Sequence, residues 1–155
     1  MVYDTVATVL CDPEEFRASA LVYLHREHGR RAGHAPEKLK VGVYALGWVT
    51  SPRRRNRRLT IFPELRRNRY AHRKGTRLAH SNHPRPIRGL RGKHGALLVG
   101  NPEEVAEKIL RHSGALGGIS RITFQMDVAE SSQANLLRSI ELLGTEVAPV
   151  LGERA

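Results

Sequence analysis

The chain has 155 residues, enough for one domain with its own core but fewer than the roughly 250 residues of a complete eight-stranded α/β barrel. Its single cysteine, Cys11, excludes an internal disulfide. No apolar run near the N-terminus is long enough for a membrane span or a signal-peptide core, so we expect a cytoplasmic protein without a membrane partner.

The formal net charge of +11 is concentrated in the middle of the chain. From Ser51 to Lys93 there are 15 Lys and Arg residues against one acid, Glu64. The other residues hold 11 basic and 14 acidic side chains, so the total charge does not by itself indicate a polyanion-binding protein.

Residues 12–50 predict a helix followed by a strand. Asp12 can cap free amides, and Pro13 fits the first turn of a helix that we expect to run from Pro13 to Arg31 and to end near Gly33. The run Lys40–Val49 is rich in β-formers and apolar at successive positions, which is typical of a strand covered on both faces in a parallel sheet.

Residues 51–94 show no sustained helical or strand period and mix arginine clusters with prolines. We interpret them as an irregular basic insertion.

Residues 95–150 predict two further strand-helix units. The strand Gly95–Gly100 leads into the helix Asn101–His112, for which Asn101 is a natural N-cap. Glycines at 114, 117 and 118 end this helix, and the strand Ser120–Val128 and the helix Ser132–Gly144 follow. We expect one face of each helix to be buried: Val105, Ile109 and Leu110 in the first, and Leu136, Leu137, Ile140 and Leu143 in the second. This order implies parallel strands joined by right-handed crossovers.

Three runs in this region resemble the end of a known family. They are Gly95-Ala-Leu-Leu-Val-Gly-Asn-Pro-Glu-Glu-Val-Ala-Glu-Lys-Ile-Leu110, Leu116-Gly-Gly-Ile-Ser-Arg-Ile122 and Ser139-Ile-Glu-Leu-Leu-Gly-Thr-Glu-Val-Ala-Pro149. Together they resemble the last two strand-helix units of luciferase-like, flavin-dependent monooxygenases, and residues 29–43 resemble the helix end and strand before them. The resemblance implies an α/β fold, namely the incomplete C-terminal part of a (β/α)8 TIM-type barrel.

The same resemblance implies an oxidoreductase that uses reduced flavin and oxygen on a small organic substrate. Family members receive flavin mononucleotide (FMN) from a separate flavin reductase or use a deazaflavin. The earlier strands, which carry most flavin-phosphate contacts in the family, are absent from this chain, so its own enzymatic activity stays open.

Five residues are candidates for the site. Gly100 and Asn101, at a strand end that leads into a helix, could offer amides to the flavin phosphate, although a simple N-cap explains them as well. Gln125 and Asp127 fall near the C-terminal end of a strand, where a barrel places its ligand-facing side chains. Tyr44 completes the candidate flavin and substrate pocket and stands where the family usually has His. Asn101 stands where the family has Ser or Thr. We assign no catalytic acid or base and no metal ligands.

Two alternatives from other classes remain. The arginines and lysines of residues 53–93 could neutralise phosphates of a nucleic acid, although no recognition helix or aromatic platform accompanies them. A partial barrel exposes sheet edges and an unfilled apolar interior, so the chain could instead be a non-catalytic remnant that forms homo-oligomers.

The basic insertion also suggests a shifted reading frame. In the family this region is an acidic-to-neutral helical insertion with a pattern such as Ile-Gly-Lys-Glu-Arg-Gly-Trp-Pro. Codons for His72–Leu90 can be chosen so that the frame one base later gives that pattern. We therefore hypothesise that about Pro52 to Lys93 is frameshifted, with compensating shifts near each end.

The gene sequence tests this hypothesis. We expect its codons for residues 72–90, read one base later, to encode the family-like insertion, and the adjoining DNA to show whether an N-terminal half is encoded upstream. Shifted codons that give no such insertion would leave a genuine basic segment and refute the frameshift.

Overall fold

The computed structural model describes residues 21–51, 91–126 and 132–154, together with the backbone of residues 5–8. We number its elements along the chain. The strands are β1 (Thr5–Thr8), β2 (Val41–Val49), β3 (Leu98–Gly100) and β4 (Arg121–Gln125). The helices are α1 (Leu21–Arg31), α2 (Pro102–Leu116), α3 (Gln133–Leu142) and α4 (Ala148–Arg154), with a 3₁₀ turn at Pro36–Lys38 and a π-helical turn at Leu143–Val147.

The sheet is parallel and is organised around β2. Residues Val41–Tyr44 pair with β1, residues Gly42–Leu46 pair with β4, and residues Gly47–Val49 pair with β3. Because β1 and β4 pair with the same part of β2, they must lie on its two opposite edges. The predicted class, α/β with parallel strands and helices between them, is therefore confirmed.

The pairing of β4 differs from the simplest barrel order. In a barrel whose strands follow chain order, β3 would separate β2 from β4. Here five residue pairs join β4 directly to β2, and the ring of Phe124 occupies the space where a Cβ atom at Gly47 would lie. The neighbouring strand therefore leaves no room for a side chain at position 47.

Both faces of β2 are buried, as the sequence predicted. Val41, Val43 and Ala45 face one apolar cluster, which includes residues of α1 and α2, and they are each 1% exposed. Leu46 and Trp48 belong to a second cluster on the other face, together with Leu97, Val99 and Met126. A strand covered in this way has few polar positions, which explains its nearly continuous apolar sequence.

The predicted N-cap at Asn101 and the predicted helix end near Gly33 are confirmed. Asn101 and Glu104 form a capping box at the start of α2, and Gly117 ends that helix with a left-handed φ of 69°. Gly33, with a φ of 81°, follows the end of α1 at Arg31. The predicted start of α1 at Pro13 lies outside the described residues. Helix α2 extends one turn beyond the expected end at His112, because Gly114 is accommodated inside it.

The buried face of α3 was predicted correctly for Leu136 and Leu143, which pack against an apolar cluster, and incorrectly for Leu137 and Ile140. Leu137 and Ile140 are 57% and 50% exposed, whereas Ser139 and Leu142 are buried. The helical path also continues past Gly144 through the π-helical turn into α4 and buries Val147. The extra residue in a π turn rotates the following side chains about the axis, a displacement that an apolar pattern of regular period cannot reveal.

The direct contact between β2 and β4 yields a matched pair of variants. Gly47→Ala should lower the free energy of unfolding by about 1–3 kcal/mol, because its new methyl group meets the Phe124 ring in a packed interior. Gly114→Ala should raise it by roughly 0.5–1 kcal/mol, since nothing surrounds that helical position. Urea denaturation of both variants measures this, and equal effects would contradict the β2–β4 packing.

Candidate functional site

Two of the predicted pocket residues share one face of the sheet. Gln125 is paired in register with Leu46, and Tyr44 lies two residues before Leu46, so both side chains project from the face opposite Val43 and Ala45. Both residues are half-buried, while Thr123, the partner of Tyr44, is exposed. The structure thus places Tyr44 and Gln125 beside an accessible part of this face.

The C-terminal end of β2 is covered. The amide of Val49 donates to Ser139 Oγ of α3 at 2.8 Å, and both residues are buried. The amide of Thr50 donates to the carbonyl of Gly100 at 2.9 Å, which holds the ends of β2 and β3 together. A ligand on this face therefore has access at Tyr44 and Thr123 rather than at the last residues of β2.

Gly100 and Asn101 form a closed helix start. The amide of Asn101 donates to Glu104 Oε2 at 3.0 Å, and the amide of Glu104 donates to Asn101 Oδ1 at 2.8 Å. The Glu104 carboxylate also lies against Gly100. Since Pro102 has no N–H, Glu103 offers the one first-turn amide that neither partner of the capping box uses. An anion could bind several amides here only after Glu104 moved away.

Other predicted features lie wholly or largely outside the described residues. Asp127 is among them, as are residues 52–90 of the basic insertion and its proposed nucleic-acid surface. Within the described ranges no group of three His, Cys, Asp or Glu residues could hold a metal ion. None of the helices in those ranges is long and apolar enough to cross a membrane.

The sequence interpretation missed a buried lysine in α2. Lys108 is 4% exposed, and its Nζ donates to the carbonyls of Leu97 at 2.9 Å, Val99 at 3.1 Å and Arg91 at 2.9 Å. Its spacing could have revealed it, because Lys108 follows Val105 by three residues and precedes His112 by four. Both of those residues are buried, so helical geometry places Lys108 on the same buried face.

Burial changes the acidity of this lysine. Removal of its ammonium group from water lowers the pKa of Lys108 to about 8, with Arg111 and Arg91 adding repulsion and Glu104 acting in the opposite direction. Near neutral pH the group is still mainly protonated and can use all three of its donors. It lies beside a cleft of about 650 Å³ that Lys93 and Glu107 also line.

Arg26 ties α1 to the end of α2. Its guanidinium donates to the carbonyls of Leu116 at 2.6 Å and Gly118 at 2.9 Å, two acceptors at a helix C-terminus where a cation is favourable. Arg26 lines a cleft of about 720 Å³ together with Val22, Leu39 and Val41, at the opposite end of β2 from Thr50. The guanidinium is therefore used to join two helices across that cleft.

Comparison with known proteins gave no family: no family model and no curated protein matches the chain.

The shifted acidity of Lys108 predicts a pH-dependent stability. Its pKa is lower in the folded chain than the ordinary value of 10.5, so between about pH 8 and 10.5 the unfolded chain binds more protons. The contribution of Lys108 to the free energy of unfolding should rise with pH in that window and stay constant below it.

Chemical denaturation of the wild type and Lys108→Met across this pH range measures the contribution as the difference between the two proteins. Lys38→Met, which removes an exposed lysine, controls for the loss of one positive charge. A wild-type minus Lys108→Met difference that is independent of pH would contradict the assigned environment.

Proposed function

We propose that the chain is the C-terminal part of a luciferase-like, flavin-dependent monooxygenase, whose complete form oxidises a small organic substrate with reduced flavin and oxygen. The observation that carries the proposal is the common sheet face of Tyr44 and Gln125, opposite the cluster that includes helix α2. In an α/β barrel, the sheet face opposite the outer helices points into the barrel, where ligands bind. Here Leu136 of α3 packs on this face near Leu46 and Trp48, and the face is accessible at Tyr44 and Thr123. The sequence resemblance from Gly95 to Pro149 supports the same family.

The flavin supplies the oxygen chemistry in such enzymes, and the protein positions and shields it. In this proposal Tyr44, Gln125 and Asp127 line the pocket for the flavin ring or the substrate. Gly100 and Asn101 contribute to phosphate binding only if the Glu104 carboxylate leaves the helix start. The cofactor is FMN delivered by a flavin reductase, or a deazaflavin, in a cytoplasmic protein.

We propose further that the complete protein forms a closed barrel. A closed barrel requires further strands that complete the sheet, in an order that departs from chain order because β4 pairs directly with β2.

Flavin titration tests the function. Addition of FMN, oxidised or reduced, to the purified chain should give saturable quenching of flavin fluorescence or absorbance changes. Tyr44→Ala and Gln125→Ala should each weaken binding about tenfold, which corresponds to a loss of about 1.4 kcal/mol. Arg138→Ala, on the exposed side of α3, serves as the control and should bind as the wild type does.

Absence of saturable binding to both FMN and a deazaflavin would refute a flavin site in this chain. Equal affinities of the Tyr44 and Gln125 variants and the wild type would instead show that flavin binds away from the shared face.

The exposed apolar side chains favour a second candidate, a self-associating remnant without catalysis. Leu137 and Ile140 lie one turn apart on α3, and Leu21, Tyr23 and Leu24 are 45–65% exposed on α1. Burial of such side chains against a second copy is favourable by about 25 cal/mol for each Å² of apolar surface. This candidate places the buried surface between copies rather than against missing strands.

Sedimentation equilibrium tests the second candidate. The wild type should form homo-oligomers, and the double variant Leu137→Lys, Ile140→Lys should shift toward the monomer, because lysine in a buried interface loses its hydration. Gln133→Lys, an exposed substitution on the same helix, should leave association unchanged. A monomeric wild type would exclude the remnant hypothesis.

A further inference from the structure

Strand β3 has one edge that the described sheet does not pair. The amide of Thr50 donates to the carbonyl of Gly100, so that carbonyl points toward β2. Carbonyls alternate in direction along a strand, so those of Leu97 and Val99 point toward the opposite edge. Within the described residues β3 pairs with β2 alone, and these two carbonyls would be the acceptors for a further strand.

The ammonium group of Lys108 occupies this edge. Its Nζ lies 2.9 Å from the Leu97 oxygen and 3.1 Å from the Val99 oxygen, and it donates to both. Its third N–H donates to the carbonyl of Arg91 at 2.9 Å, in the segment that leads into β3. One side chain therefore satisfies successive acceptors that two amides of a neighbouring strand would otherwise satisfy.

We propose that Lys108 closes the outer edge of β3 in place of a neighbouring strand and thereby fixes the position of β3 against α2. Lysine suits this role because its ammonium group has three donors and no acceptor, while its methylene stem packs along the buried face of the helix. This role of Lys108 in the sheet does not depend on flavin binding.

The charges around Lys108 are consistent with a positioning role. Glu104, one turn earlier on α2, attracts the ammonium group, while Arg111 and Arg91 repel it. Lys93 and Glu107 also line the adjacent cleft. Burial outweighs the attraction from this carboxylate and lowers the pKa of Lys108, while the three carbonyls accept from the ammonium group at 2.9–3.1 Å.

Carbonyl chemical shifts of Leu97 and Val99 test the proposal in the intact chain. Each is observed by NMR through the amide of the following residue, Leu98 or Gly100. In the wild type both carbonyl signals should move together as the pH passes about 8, where Lys108 loses a proton. In Lys108→Met the movement should be absent, and the signals should lie at the position of carbonyls that have lost a charged donor.

Lys108→Arg distinguishes the effect of a permanent positive charge from the effect of losing a proton. It keeps a cation at the edge, so its carbonyl signals should remain near the low-pH positions throughout the titration. Should either variant fail to fold, the wild-type titration still decides, because it needs no substitution. Carbonyl signals of the wild type that do not respond near pH 8, or that respond equally in Lys108→Met, would overturn the proposal.

Discussion

The structure depends on the burial of β2 on both faces and the pairing of both its edges. A nine-residue apolar strand loses the hydration of its amides and carbonyls when it is buried, so neighbouring strands must replace those hydrogen bonds. Strands β1, β3 and β4 supply them along its length, and Ser139 Oγ supplies the acceptor for the amide of Val49. Helix α2 and Leu142 at the end of α3 pack on one face, and Leu136 and Leu143 pack on part of the other.

Because some strands are short, side chains supply part of the hydrogen bonds that the sheet needs. Strand β3 is only three residues long, and Lys108 reaches its outer carbonyls from α2. Arg26 similarly satisfies carbonyls at the end of α2 from α1. Long cationic side chains thus provide donors at positions where the described backbone provides none. Lys108 joins α2 to β3, whereas Arg26 joins α1 to the end of α2.

Local chemistry predicted the element ends, whereas tertiary pairing was not predictable. Asn101 with Glu104, and the glycines Gly33 and Gly117, determine helix ends through bonds within a few residues of sequence. The pairing of β4 with β2 depends on contacts about eighty residues apart, which periodicity does not encode. The exposure of Leu137 has a similar cause, because the side of α3 that is buried depends on tertiary contacts such as the bond between Ser139 Oγ and the amide of Val49. Lys108 was overlooked because a charged side chain is rarely buried.

The candidate site also depends on tertiary pairing that the sequence does not predict. Tyr44 and Gln125 share a face because of the β2–β4 register, and the residues alone could not establish that register. Backbone nuclear Overhauser effects measure the direct β2–β4 pairing most directly. This pairing should give cross-peaks between Tyr44 and Thr123 and between Leu46 and Gln125. Cross-peaks that join β4 to β3, with none between β4 and β2, would contradict it.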